Sequence, residues 1–513
     1  MRLDGISTWL VALGLAALLA WMQFDEPALV AGDSYFHARA AQQLAEHGVL
    51  EQFPQAFYST WAERYSDKDF LFHVLLIPFC AGPLPIVTGA KLAVIALDLA
   101  ILLVFIAVAR RTGARVVWLW LLLLFGSHAW LWLHLEQVRP HLLGLVWLLI
   151  EIGCVLTGRR LALGVATAAH VWSHTSFLLV PALVFARFAA RYWRDRQLEW
   201  GDAAAVAVGV GAAFLLHPYF PNNLELTWDQ VVEVARSLWW ERPALPADLF
   251  GAELGRMSAV TFFRSGLLWV PVLIAAGLRF ASRDEPPSVD VLTLMLFSVM
   301  LWVLSAFSMR FLVFFLPVCG LTGALLATQV AVAARFGERA HSRRPLVVAV
   351  SLVLALALSL GPVAQSAADT RRRTRAAQTV EDARDAVAFL DRVAAPSDVV
   401  FHAHWTPFAA LYFHRPNGRY IHALDPIFLY RADPQRFAGM LAVYRGTAED
   451  PFAVISGDFA ARWIYLPKLR AFNDMLGPLF LEPRIRAVYS DDSAIVFRVD
   501  APEPGPAQAG GAP

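Results

Sequence analysis

Asp33 is the residue best placed for chemistry. It stands in Gly32-Asp33-Ser34-Tyr35-Phe36-His37-Ala38-Arg39, a few residues after an apolar stretch. From Ser34 to His47 the spacing of Phe36, Ala40, Gln43, Leu44 and His47 predicts an amphipathic helix ended by Gly48. Asp33 then falls at or just before the helix N-terminus, where the backbone dipoles stabilise a carboxylate. A carboxylate so placed can take a proton from a substrate hydroxyl within hydrogen-bond reach. Farther on, Asp67 and Asp69 flank Lys68 just before the apolar run Phe70–Pro78. Acids at i and i+2 make a poor helix face, but in a loop their oxygens suit a hard divalent cation such as Mg or Mn. The bland readings are a capping Asp and two solvated loop acids. The combination, set beside an apolar segment, favours chemistry.

Other polar residues sit where apolar segments end. Glu136-Gln137-Val138-Arg139 offers an acid and a guanidinium that either contact substrate or pair at the membrane interface. His170 and His174, at i and i+4, suit a polar cavity better than a metal site, because no acid accompanies them in sequence. Arg310, bracketed by Phe307 and Phe311, is placed to bind a phosphate bidentately or to snorkel. The stretch His217–Asn223, continuing through Trp228, Asp229, Trp239, Trp240 and Glu241, suits an interfacial aromatic belt and also sugar stacking. His402, His404 and the run Arg419–Pro426 either face a cavity or end strands. Cys80, Cys154 and Cys319 are far apart in apolar surroundings and imply neither a disulfide framework nor a zinc site.

The elements that position these residues are set by composition. The 513-residue chain is 58% hydrophobic and 17% charged, against about 45–50% and about 25% for soluble domains. A formal charge of +1 gives no basic face for nucleic acid. Apolar runs long enough to span occur at 9–24, 89–109, 116–135, 142–156, 161–171, 176–189, 203–216, 260–278, 291–307, 311–331 and 346–363. That makes about eleven crossings, with Leu161–Ala189 read as a hairpin hinged at Ser173-His174-Thr175. With a cytoplasmic N-terminus, the arginines at 110–115, 159–160, 191–196, 279–283 and 335–344 all fall inside. Only Arg371, Arg372, Arg373 and Arg375 run against that count. The expected organisation is therefore a polytopic helical membrane domain over 1–363 with a long first external loop at 25–88. A small α/β domain follows over 364–500, with a helix at Val380–Arg392 and strands at Asp398–Phe401, Phe452–Ser456, Trp463–Leu466 and Ala494–Val499. The Pro, Gly and Ala-rich tail 501–513 reads as disordered.

A first span followed at once by Asp-x-Tyr-x-x-x-Arg (Asp33, Tyr35, Arg39) resembles the GT-C glycosyltransferases. These include oligosaccharyltransferase catalytic subunits, protein O-mannosyltransferases and the aminoarabinose transferases of lipid A. The span count, the cytoplasmic N-terminus and the external C-terminal domain resemble them too. The resemblance implies an inverting transfer of sugar from a polyprenyl-phosphate donor to a glycan, lipid or protein acceptor outside the bilayer. It implies Asp33 as general base, sometimes aided by a divalent metal, and Arg310 on the donor phosphates. Tyr35, Arg39, Glu136, Arg139 and His174 complete the candidate substrate contacts, and Asp67 and Asp69 the candidate metal ligands. The setting this implies is a bacterial inner membrane with the C-terminal domain in the periplasm. The rival readings are a transporter or flippase for lipid-linked glycans and an inactive accessory subunit of the same architecture. No internal repeat supports the transporter.

Overall fold

The computed structural model of the chain describes residues 2–236, 252–281, 287–336, 344–377 and 379–500. Trp239, Trp240, Glu241 and the tail 501–513 lie outside the described residues. Contacts divide the chain into two compact units. The first draws its described residues from 2–30, 68–223, 252–281, 287–336 and 344–377, and the second from 31–67, 224–236 and 379–500.

The first unit is a helical bundle. Five helices are long and apolar enough to cross a membrane: Asp4–Asp25, Ile86–Arg111, Thr175–Asp195, Val289–Phe307 and Met309–Gln329. Val117–Ser127 and Ala129–Leu135 make a sixth if that bent pair counts as one span. The sequence presents this last segment as continuous, but the two helices meet at 93°. His128 causes the break: its backbone is extended, and its Nδ1 accepts the Trp130 N–H at 3.0 Å, starting a new helix. Shorter apolar helices occupy Phe70–Cys80, His141–Thr157, Arg160–Val171, Gly201–Leu215 and Ala259–Ile274. The hairpin expected over Leu161–Ala189 is present as Arg160–Val171 and Leu179–Asp195, with a 3-10 turn at Thr175–Leu178 between them. Arg160–Val171 lies against Gly201–Leu215 at near-contact distance. A Cβ on Gly209 would come within 2.4 Å of the Gly164 carbonyl, so small residues set this helix–helix spacing.

Polar contacts mark the two ends of the bundle. At one end the Asp4 carboxylate accepts the Val116 N–H at 3.1 Å, and Thr328 Oγ1 accepts the Arg115 N–H at 2.7 Å. At the opposite end, where the first helix stops, Asp25 accepts from Arg371 Nε at 2.8 Å and Nη2 at 2.7 Å, and from Arg375 Nη2 at 2.7 Å. The helix Arg344–Ala376 thus runs past residue 363 and delivers Arg371 and Arg375 to that carboxylate. These are two of the arginines that run against the positive-inside count, and Asp25 and Glu26, which accepts from Arg375 Nε at 2.6 Å, meet their charge locally.

The second unit is built on a five-stranded sheet. Its strands are β1 (Val399–Phe401), β2 (Arg419–Tyr420), β3 (Ala461–Pro467), β4 (Ile485–Ser490) and β5 (Ala494–Val499), in spatial order β2-β1-β3-β5-β4. β1 is parallel to β2 and β3, whereas β5 is antiparallel to both its neighbours, β3 and β4. β4 is an edge strand with mostly exposed residues, so it shows no alternation for the sequence to reveal. The strand expected at Phe452–Ser456 is helical instead. Pro451 stands at its first turn, and Asp450 Oδ1 caps it by accepting the Ala453 N–H at 2.9 Å.

Residues that the sequence places in a first loop are an integral part of this second unit. Gly32–His47 forms the expected helix, and Gly48 ends it with φ 72, a conformation that costs glycine little. The helix packs on Thr406–His414 through Tyr35, which is fully buried, its ring centre 4.8 Å from that of Phe413 in a T-shaped contact. Residues 55–57 then extend the β2 edge: Tyr420 N–H donates to Gln55 O at 2.8 Å and Phe57 N–H to Tyr420 O at 2.9 Å.

The Asp25–Arg371 pair yields a measurable expectation. Asp25→Ala and Arg371→Ala each lower the unfolding midpoint in a detergent-denaturant titration. The double variant falls short of the sum of the two single effects, because either single change already forfeits the attraction within the pair. Strict additivity would show that the pair is not coupled.

Candidate active site

Each unit carries polar residues that the sequence singles out. In the second unit Asp33 lies in the first turn of its helix, half-buried. Arg39 donates to the Phe413 carbonyl through Nε at 3.1 Å and through Nη2 at 2.5 Å, and to Gln42 Oε1 through Nη1 at 2.6 Å. Its guanidinium carbon also sits 5.0 Å from the centre of the Phe413 ring. Tyr35 and Arg39 therefore hold the Asp33 helix to its neighbour and fix the direction of its first turn.

In the first unit the structure brings Arg139 and Arg310 together on one carboxylate that the sequence reading did not find. Glu253 accepts from Arg139 Nη1 at 3.0 Å and Nη2 at 2.8 Å, a bidentate pair. It also accepts from Arg310 Nε at 2.8 Å, and His134 Nε2 lies 3.7 Å away. Ser308 organises this corner. Its Oγ donates to the Glu253 carbonyl at 2.9 Å and caps the turn that carries Arg310. Burial alone would raise the Glu253 carboxyl, but Arg310, Arg139 and the His134 hydrogen bond outweigh it and hold the group well below the usual range. Two planar guanidinium forks gathered on one carboxylate are the donor arrangement that a phosphate ester would meet.

His174 stands beside this cluster in its electrostatics. Burial, then Lys68, His141, His170 and Arg310, hold its imidazole well below the ordinary range, so it is neutral. Its Nδ1 accepts the Ser176 N–H at 3.1 Å, which places the ring proton on Nε2 and makes that nitrogen a donor. Behind it Ser176 Oγ lies 2.7 Å from His170 Nε2, and His170 Nδ1 lies 2.9 Å from Glu151 Oε2, both side chains fully buried. The acid missing from the sequence neighbourhood of the two histidines is thus Glu151, on another helix. Lys68 Nζ pairs with Asp69 Oδ2 at 3.0 Å. Among the described residues no group of three or more His, Cys, Asp and Glu side chains comes together to hold a metal.

Glu136 belongs to the Asp25 end of the bundle. It is 4% exposed and pushed up to about 7, first by burial and then by Asp25, with Arg371 and Lys91 pulling the other way. Lys91 is held by the Glu26 carbonyl.

No protein-family model matches the sequence, and no curated protein matches it either. Solved structures do. The oligosaccharyltransferase of Archaeoglobus fulgidus in its apo form superposes with a TM-score of 0.60 at 12% identity, over 90% of this chain and 69% of that one. The same enzyme tethered through a disulfide bond to an acceptor peptide with the NVT sequon gives 0.59 at 12%, over 89% and 69%. ArnT from Cupriavidus metallidurans, bound to undecaprenyl phosphate, gives 0.56 at 14%, over 95% and 97%. The chain has the GT-C fold. The apolar helices and this likeness make it a multi-pass membrane protein. At these identities the likeness is one of architecture, so the chemistry is argued from this chain's own residues.

Glu136 gives a pH prediction with a definite sign. An acid whose folded pKa is raised binds its proton more tightly in the folded state. Its contribution is therefore full near pH 4 and lost as pH climbs through about 7. Glu136→Gln, which stays neutral, should match the wild-type melting temperature near pH 5 and exceed it at pH 8. An equal difference at both pH values would mean that Glu136 does not titrate in this range.

Proposed function

We propose that the chain is an inverting glycosyltransferase that moves a sugar from a polyprenyl-phosphate donor to a cell-envelope acceptor. The observation that carries this reading is the convergence of Arg139 and Arg310 on Glu253 in a membrane chain of GT-C fold. Such a pair is a ready-made cradle for a phosphate leaving group, with Glu253 as its present counter-ion. ArnT, with undecaprenyl phosphate bound, and the oligosaccharyltransferase, tethered to an acceptor peptide, support a lipid-linked donor and an external acceptor.

In this mechanism the acceptor oxygen attacks the anomeric carbon from the face opposite the phosphate. The carbon–oxygen bond to phosphate breaks with inversion, and Asp33 takes the acceptor proton. Charge developing on the departing polyprenyl phosphate is met by Arg139 and Arg310, and the His174 Nε2–H adds a neutral donor. Glu136 assists from the Asp25 end. The reading includes about eleven crossings, a cytoplasmic N-terminus and a periplasmic second unit at a bacterial inner membrane. A Mg or Mn ion on Asp67 and Asp69 is part of the proposal only as an accessory. Two carboxylates, one already paired with Lys68, make a poor protein cage, and no step is routed through a metal. Chelation tests it: a chelated preparation regaining transfer on Mg or Mn supports the ion, and undiminished transfer removes it.

Asp98 favours a second reading. It is 3% exposed in the middle of Ile86–Arg111, and neither carboxylate oxygen has a hydrogen-bond partner among the described residues. An acid at that depth is a usual mark of a translocation path, which fits a flippase for lipid-linked glycans.

One comparison separates the readings. Envelope glycans and glycolipids are profiled in a deletion strain complemented with wild type, Asp33→Asn or Asp98→Asn at matched expression. Transfer predicts that a sugar modification returns with wild type and stays absent with Asp33→Asn. Its rate should fall by a factor on the order of 100 or more, since general-base catalysis contributes about that much. Full restoration by Asp33→Asn with loss in Asp98→Asn would move the flippase reading ahead. In membranes, Arg310→Ala should lower transfer more than Arg310→Lys, because Lys keeps the charge but not the planar fork.

A further inference from the structure

The second unit has a cavity that none of the chemistry above uses. It measures about 340 Å3 and lies between the end of the helix Arg384–Val393 and the β3-β5-β4 part of the sheet. Its lining includes Phe389, Asp398, Arg462, Trp463, Val488 and Arg498. The volume sits at the lower end of small-ligand sites, which run from roughly 300 to 1,000 Å3.

The charges around it are unbalanced. Arg498 on β5 stands directly opposite Arg486 on β4, and like charges opposite one another destabilise a strand pair. Arg486 has a carboxylate, donating to Asp500 Oδ2 at 2.8 Å. Among the described residues Arg462 and Arg498 have neither an ion pair nor a side-chain hydrogen bond. Asp398, the one acid in the lining, accepts from Trp463 Nε1 at 3.0 Å and from the Ala395 N–H at 3.0 Å. It therefore fixes the indole and the preceding turn, and Arg462 and Arg498 keep their charge for something else. A sheet that sets Arg498 opposite another arginine beside a cavity breaks a local rule of stability, and such breaks concentrate at functional sites. Next to the guanidiniums is an apolar surface. Phe389 is half-buried and stacks on Tyr489 with ring centres 4.9 Å apart and planes at 24°. Val488 and the buried Trp463 continue it.

We propose that this cavity binds an anionic saccharide unit. Its carboxylate or phosphate is taken by Arg462 and Arg498, and its ring face is laid against Phe389. Two planar forks suit an oxyanion, and a half-exposed aromatic suits the C–H face of a sugar better than it suits a mobile lipid headgroup. As a hold for the acceptor, the assignment rests on the transfer reading above, and it makes that acceptor an acidic glycan. The binding itself does not depend on transfer.

The test uses the full chain in an uncharged detergent, without donor. Calorimetric titration with tri-galacturonate is compared with maltotriose, its neutral counterpart, and with flotation on phosphatidylglycerol vesicles. Tri-galacturonate should bind, more weakly as salt rises, and maltotriose should give no heat. Arg462→Gln/Arg498→Gln should weaken binding about tenfold or more, the scale expected for losing charge-assisted hydrogen bonds. Its melting temperature should stay level or rise, since the like-charge opposition is relieved. Arg419→Gln, on the far strand β2, should leave binding unchanged. The proposal is overturned if the two trisaccharides bind alike, or if the double variant keeps full affinity. It is equally overturned if only vesicles bind in a manner that needs these arginines. Asp33→Asn protein should still bind tri-galacturonate. Binding without any transfer activity would sink the transfer reading alone, and transfer without binding would sink this one alone.

Discussion

A charge removed from water must find its opposite nearby or lose its ionisation, and the first unit is organised by that requirement. Glu253 pairs with two arginines that lie far apart in the chain, and Asp25, with Glu26 beside it, meets two more. Each cluster ties together segments that otherwise meet only through apolar packing, which has little directionality in a lipid-facing bundle. The bundle's polar end is therefore positioned by a few ion pairs. The same pairs hold their guanidiniums in fixed directions.

The chemistry assigned to the site depends on how its parts are supported. His174 has a defined tautomer because a backbone N–H is aimed at its Nδ1, and Ser176, His170 and Glu151 hold that corner in place. Arg310 projects from a short turn that Ser308 caps, and the same hydroxyl holds the Glu253 backbone. Within the second unit Asp33 is supported by a helix whose buried face is Tyr35 and whose anchor is Arg39. Side chains with these supports need little reorganisation when charge moves during a reaction.

Much of this architecture was legible in the sequence, for identifiable reasons. Hydropathy exposes apolar helices because a bilayer demands a minimum length, and the Asp33 helix showed its period and its terminal Gly48. The break at His128 was not legible, since it depends on a side chain capping its own following turn. β4 was hidden by its exposure, and Phe452–Ser456 was misread because a short apolar run has no period to distinguish strand from helix. At the site Arg139 and Arg310 were visible as charges at segment ends. Glu253 was not, because only three-dimensional folding joins it to them. Glu151 escaped for the same reason: it lies inside an apolar helix, and its pairing with His170 is a tertiary fact.

The second unit is assembled from pieces made at very different times. Arg39 and the Phe413 carbonyl that receives it are separated by 374 positions. At a synthesis rate of about 5–20 residues per second, the Asp33 helix waits on the order of tens of seconds for its partner. During that interval Tyr35, Phe36 and Phe53 have no core to enter. The bundle between them is made in that interval, so residues 406–414 complete a core that residues 35–53 began.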